Sequence, residues 1–244
     1  MGYREIAPPP ALASHVACLW WRTGAPPRVL PDGCVDLVWT GAEAVVAGSA
    51  TRPMVPGVRP DALKLGVRFR VGAAGVALGL PAGELLDSSA TLGEIWAEGD
   101  ELAARVAAAS GRRSQLAVLV DAVASRLAPA SAPDPLVRAA VLDVARPRTR
   151  VTELCGRLGI SERQLRRRFE GAVGYAPKTL ARVLRLQRFL GLAQSGGDLA
   201  RLAADAGYAD QPHLTRDCAR LTGLPPAALV ASGAGPAGER LSPA

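Results

Sequence analysis

Apolar residues change their rhythm along the chain. Up to about residue 70 they come in short runs: Cys18-Leu19-Trp20-Trp21, Val35-Asp36-Leu37-Val38-Trp39, Val45-Val46 and Leu63-Lys64-Leu65-Gly66-Val67-Arg68-Phe69. Turn formers separate them, Pro31-Asp32-Gly33 among others. Short runs of strand-forming residues between Gly and Pro predict strands, here a small sheet or partial barrel. From 72 to about 128 the spacing turns helical. Leu85-Leu86, then Leu92, Ile95 and Trp96, then Leu102 and Val106, then Leu116, Leu119, Val120, Val123 and Leu127 recur at helical intervals. Pro129 to Pro133 reads as a linker, 134 to about 230 as helix throughout, and 231–244 as a loose tail. The expected fold class is α+β: a β-rich unit with trailing helices over 1–128, then an all-α unit over 134–230.

The all-α region carries an imperfect internal repeat. One copy runs Leu154-Cys155-Gly156-Arg157-Leu158-Gly159-Ile160-Ser161, then Leu165, Phe169, Gly174 and Pro177. The other runs Leu202-Ala203-Ala204-Asp205-Ala206-Gly207-Tyr208-Ala209, then Leu214, Cys218, Gly223, Pro225 and Pro226. Each copy has the grammar of a helix-turn-helix. In the first, Val151, Leu154 and Leu158 form one stripe, and Gly159 supplies the left-handed backbone that ends the helix. Ile160 plugs the turn, and Ser161 caps the next helix with Gln164 at the capping-box position. Leu165 and Phe169 hold that helix down. Its other face is Arg163, Gln164, Arg166, Arg167 and Arg168, which offers bidentate donors to a groove; Arg suits guanine and Gln adenine. In the second, Tyr208 plugs the turn and Asp210 is the expected cap. Leu214 and Cys218 face inward, and Pro212 falls in the tolerant first turn. Gln211, His213, Thr215, Arg216 and Arg220 are left outward. Lys178 to Gln194 reads as one helix joining the copies. It would hold two readers in successive major grooves, roughly 34 Å apart.

Charge location sharpens this. The net charge is +7. Between Arg146 and Arg220 there are 15 Arg or Lys against 7 Asp or Glu, so the excess positive charge lies in the repeat region. No stretch near Met1 has a signal-peptide core, and Val71 to Gly83 is too short to span a bilayer, so a cytoplasmic protein without a membrane partner is expected. Cys18, Cys34, Cys155 and Cys218 are scattered, which indicates neither a disulfide framework nor a metal module. There is no G-x-S-x-G, phosphate loop or H-E-x-x-H, and His15 and His213 lie in different regions. Neither an enzyme nor a cofactor is expected.

The run Gly207-Tyr208-Ala209-Asp210-Gln211-Pro212-His213-Leu214-Thr215-Arg216, with Gly223-Leu224-Pro225-Pro226, resembles the signature of the AraC/XylS family of bacterial regulators. The resemblance covers about 134 to 230. It implies a sequence-specific transcription regulator of double-stranded DNA, with Ser161 at the interface. Base-reading positions would fall at Arg163, Arg166 and Arg167, and at Gln211, His213 and Arg216, with Thr215 on phosphate. Cys218 departs from the family's usual aromatic, and Asp217 places a negative charge near the expected DNA face. Both imply a second reader that adds less specificity than the first. The front half resembles the N-terminal domain of a subgroup of these regulators. It does so through Leu19-Trp20-Trp21, Pro31 to Leu37, Arg68-Phe69 and Gly79 to Leu85. That resemblance implies sensing of a small-molecule effector or dimerisation, and contact with RNA polymerase if the protein activates. The alternative is a small-molecule sensor whose DNA binding is secondary.

Several residues keep two readings. Trp20, Trp21 and Trp39 fit an effector pocket or plain core packing. Arg68 fits an acid-binding group or a sheet-edge cation. Cys34 fits a redox or metal sensor, or a small buried residue in a turn. Asp32 and Asp36 fit catalysis, or hydrogen bonds to turn amides. The stripe Leu116 to Leu127 fits a dimer helix or packing within the chain.

Overall fold

A computed structural model describes residues 2–24, 28–54, 62–128, 132–146 and 151–233. The front half is one antiparallel sheet of six strands: β1 (Arg4–Ile6), β2 (Val16–Arg22), β3 (Asp36–Trp39), β4 (Ala44–Ala47), β5 (Lys64–Phe69) and β6 (Ser89–Thr91). Their order is β1-β2-β5-β3-β4-β6. Of the two expected forms, this is the open sheet. Strand alternation gives the sheet two different faces. Register places Leu19, Val67, Leu37 and Val46 in one row across four strands. That row, with Leu65 and Trp39, packs on Leu102, Val106, Leu116, Leu119 and Val123. These come from α3 (Gly99–Ala108) and α4 (Gly111–Leu127), which follow the short helices α1 (Ala74–Leu78) and α2 (Leu92–Ile95). The Leu116 stripe is therefore spent inside the chain. On the opposite face the row is Cys18, Arg68 and Asp36.

One expectation is corrected. Residues 89–91 sit in the stretch expected to be helical, yet they form the edge strand β6 beside β4. Three residues are less than a full alternation, so no pattern marks them. Thr91 then closes the strand and caps α2 through a capping box with Glu94.

The back half is helical: α5 (Pro135–Val144), α6 (Val151–Leu158), α7 (Glu162–Val173), α8 (Pro177–Ala193), α9 (Leu199–Ala206), α10 (Gln211–Thr222) and α11 (Pro226–Ala231). It has two apolar clusters. The first joins Val137, Leu154, Leu165, Phe169, Val173 and Leu180. The second joins Val183, Leu186, Phe189, Leu190, Leu202, Tyr208, Leu214 and Cys218. Helix α8 contributes to both, so the connecting helix is also a shared wall. Front-half residues complete each cluster: Val71 and Leu86 pack on the first, Leu30 on the second. Most of the expected linker and tail, 129–131 and 234–244, lies outside the described residues, as does the Val151 side chain. Among the described residues no helix is long and apolar enough to cross a membrane.

Candidate nucleic-acid interface

The first candidate reader is built as its sequence implies. Gly159, at φ 64°, ends α6 in the left-handed region that a side chain disfavours. Ser161 Oγ accepts from the Gln164 amide at 3.2 Å, and the Ser161 amide donates to Gln164 Oε1 at 3.0 Å. The reciprocal pair satisfies two orphan donors at the helix start. Leu165 and Phe169 are buried, while Arg163, Gln164, Arg166, Arg167 and Arg168 are exposed. Arg163, Gln164, Arg166 and Arg167, with Glu170, line one open hollow.

These side chains are not equally available. Arg166 Nε lies 2.7 Å from Glu170 Oε1, and Arg168 Nη1 lies 3.1 Å from Asp134 Oδ2. Asp134 caps α5, so Arg168 ties α7 to that helix. Gln164 Oε1 is committed to the cap, accepting from Ser161 Oγ as well. That leaves its Nε2 for an acceptor. Arg163 and Arg167 make no ion pair among the described residues.

The second candidate reader repeats the plan. Gly207 ends α9 at φ 92°, and Asp210 Oδ1 accepts from the His213 amide at 2.6 Å. Leu214 and Cys218 are buried; Gln211, Thr215, Arg216 and Arg220 are exposed. The Thr215 hydroxyl donates to Gln211 O at 3.0 Å, within its own helix. Two expectations change here. Asp217 does not face outward: it is buried against α8, 3.4 Å from Arg185 Nη2 and 3.9 Å from Arg182 Nε. His213 is half-buried, with Nε2 3.6 Å from Asp217 Oδ2 and its ring edge-on to Tyr208 at 5.2 Å. Arg185 stacks over the other partner of that contact, the Tyr208 ring, at 5.1 Å. The carboxylate fastens the reader to the connecting helix, because a buried charge needs its counter-ions close. The inference that Asp217 weakens the second reader loses its basis.

Arg188 completes the frame. It donates to Ala206 O at 2.9 Å and to Ala145 O at 2.6 Å, the carbonyl ends of α9 and α5. Sequence reasoning did not single out Arg182, Arg185 or Arg188 as ties between helices. It also missed Gln187, buried and donating to Pro31 O at 2.6 Å. A usable signal existed: Gln187 stands four residues after Val183, a polar residue on a core-facing stripe.

In the front half, Trp20, Trp39 and Arg68 do not converge. Trp39 belongs to the helix-covered face. Trp20 and Arg68 lie on the other, by strand register. The Trp20 ring covers Gly66, where an added Cβ would come within 2.8 Å of it. Arg68 is bound to Asp32 at 3.2 Å and Asp36 at 2.8 Å. Asp32 Oδ1 accepts from the Cys34 amide at 2.8 Å, the turn role foreseen for it. Burial pushes the Asp32 carboxyl up, against the pull of Arg68. Burial, helped by Asp32, holds the Cys34 thiol well above its ordinary range, and Cys18 is pushed up to about 12. Both thiols are kept from the reactive thiolate form.

Two separate stretches of the chain match known families. Residues 154–232 match the family described as a helix-turn-helix domain. Residues 4–91 match a domain of unknown function, DUF6597. No curated protein matches the chain. Among solved structures the chain is similar to ToxT from Vibrio cholerae. An apo variant of ToxT shares 13% identity at a TM-score of 0.45, covering 94% of this chain and 95% of that one. A second ToxT structure shares 10% at 0.45, covering 96% and 100%. Wild-type ToxT bound to an unsaturated fatty acid shares 10% at 0.41, covering 87% and 93%.

Proposed function

From an AraC-type helix-turn-helix domain at 154–232 behind a DUF6597 domain at 4–91, we propose that this chain is a transcription regulator that reads duplex DNA with α7 and α10. One observation carries it: two capped helices present exposed Arg and Gln faces and share α8 as a common wall. Arg163 and Arg167 are the principal base readers, because no carboxylate among the described residues competes for them. Arg166 joins them when its exposed pair with Glu170 opens, at a cost under about 1 kcal/mol. Gln211 and Arg216 read in the second groove, and Thr215 with the capped helix starts contacts phosphate. His213 acts from the side, through Tyr208 and Asp217. The front half, packed on both apolar clusters, is where an effector acts on the readers.

The test is selection of duplexes from a random pool by the full chain, followed by footprinting. The expected result is a bipartite sequence protected at two patches about 10 base pairs apart. Binding that enriches no sequence, and fades uniformly with salt, would overturn the proposal.

A further inference from the structure

The Pro31-Asp32-Gly33-Cys34 turn belongs to the front half, yet its outer side lies on α8. Pro31 O accepts the Gln187 Nε2 hydrogen bond at 2.6 Å, in a buried setting. Gly33 is held at φ 86°, and an added Cβ there would stand 2.9 Å from Leu180 Cδ1 and 3.4 Å from the Tyr175 hydroxyl. Leu180 and Gln187 are seven residues apart, two turns along one face of α8, about 10 Å. The turn therefore lies lengthwise on the connecting helix. Its Leu30 neighbour reaches into the apolar cluster of the second reader.

The inner side of the turn is clamped. Arg68, from the middle of the sheet, donates Nε to Asp36 Oδ1 at 3.0 Å and Nη2 to Asp36 Oδ2 at 2.8 Å. The same Nη2 lies 3.2 Å from Asp32 Oδ2. The three side chains are at most 15% exposed. One guanidinium thus spans both ends of the turn, while Asp32 fixes its middle through the Cys34 amide. With its charges satisfied inward, the turn shows α8 a rigid surface of backbone.

We propose that the Pro31–Asp36 segment is a positioning element for DNA recognition: it sets where α8 lies against the front sheet, and thereby the spacing and rotation of α7 relative to α10. This rests on the DNA-reading function proposed above. Each reader touches its own groove on its own strength. Simultaneous engagement depends on their mutual placement, because the second contact is intramolecular and its effective concentration falls steeply with misalignment. Arg68, Asp36 and Gln187 act through α8 and touch no DNA.

The full chain is tested as wild type, Gln187→Leu and Asp36→Asn. Each is titrated with the selected duplex, with duplexes in which one half-site is scrambled, and with spacers one base pair longer or shorter. The expected result is about a tenfold loss on the intact site in both variants. Half-site binding stays within about twofold, and the penalty for altered spacers shrinks. Circular dichroism checks that each variant is folded. Equal losses on intact and half-sites, or no loss on either in folded protein, would overturn the positioning role. Wild-type protein that selects no duplex would remove the DNA reading itself, before any variant is compared.

Discussion

Four arginines crowd one turn and a half of α7, and their partners separate their tasks. Arg168 is anchored to Asp134 and Arg166 leans on Glu170, whereas Arg163 and Arg167 have no carboxylate to answer among the described residues. A guanidinium without an internal partner gives up only water on meeting a guanine edge. Arg167→Ala is therefore expected to weaken specific binding by about 1–3 kcal/mol and to relax base preference at one position. Arg168→Ala should leave the sequence preference intact. Titration of the selected duplex against single-base variants checks both; equal relaxation in the two mutants would refute the division. Sequence alone marked the outward face of this helix correctly. It could not rank the arginines, because Asp134 lies 34 positions upstream of Arg168 and nothing local links them.

At the scale of elements, caps and stops were the most legible features. Gly159, Gly207, Ser161 and Asp210 act through their immediate neighbours, so a few residues of sequence contain the whole interaction. Polar ties between helices were illegible for the opposite reason. Asp217 looks exposed by its neighbours Thr215 and Arg216, and only the packing of α10 on α8 shows that it is buried. Its removal is expected to matter. Asp217→Ala takes from Arg182 and Arg185 the carboxylate that both approach. These arginines are about one-quarter exposed, so the loss should fall below that of a fully buried pair, at about 2 kcal/mol. Urea unfolding measures it, and footprinting should show the second patch fading before the first. A mutant as stable as wild type would contradict the fastening role. The β6 strand makes the same point for backbone: its place is set by the β4 edge rather than by its own three residues.

Over the whole molecule, the sequence offers Pro129 to Pro133 as a linker between two units. The packing of the front half on the back half is not legible in it. Leu30, Val71 and Leu86 each look like ordinary core residues of the front half, yet they complete clusters of the back half. Ser49 Oγ adds a buried hydrogen bond to Val173 O at 2.8 Å. Shared cores couple unfolding, so the full chain is expected to melt in one transition, with calorimetric and van't Hoff enthalpies in agreement. Two resolved transitions would show that the halves stand independently.

The bond from Gln187 to the Pro31 carbonyl also limits how such a chain can be rearranged. A front half grafted onto another helix-turn-helix pair would bring its turn down on a helix with different residues at the Leu180 and Gln187 positions. The carbonyl would then be sealed from water with no donor, a cost of about 1–3 kcal/mol on top of poorly fitted methyl groups. Recombining the two parts thus requires the graft to carry those two helix positions with it.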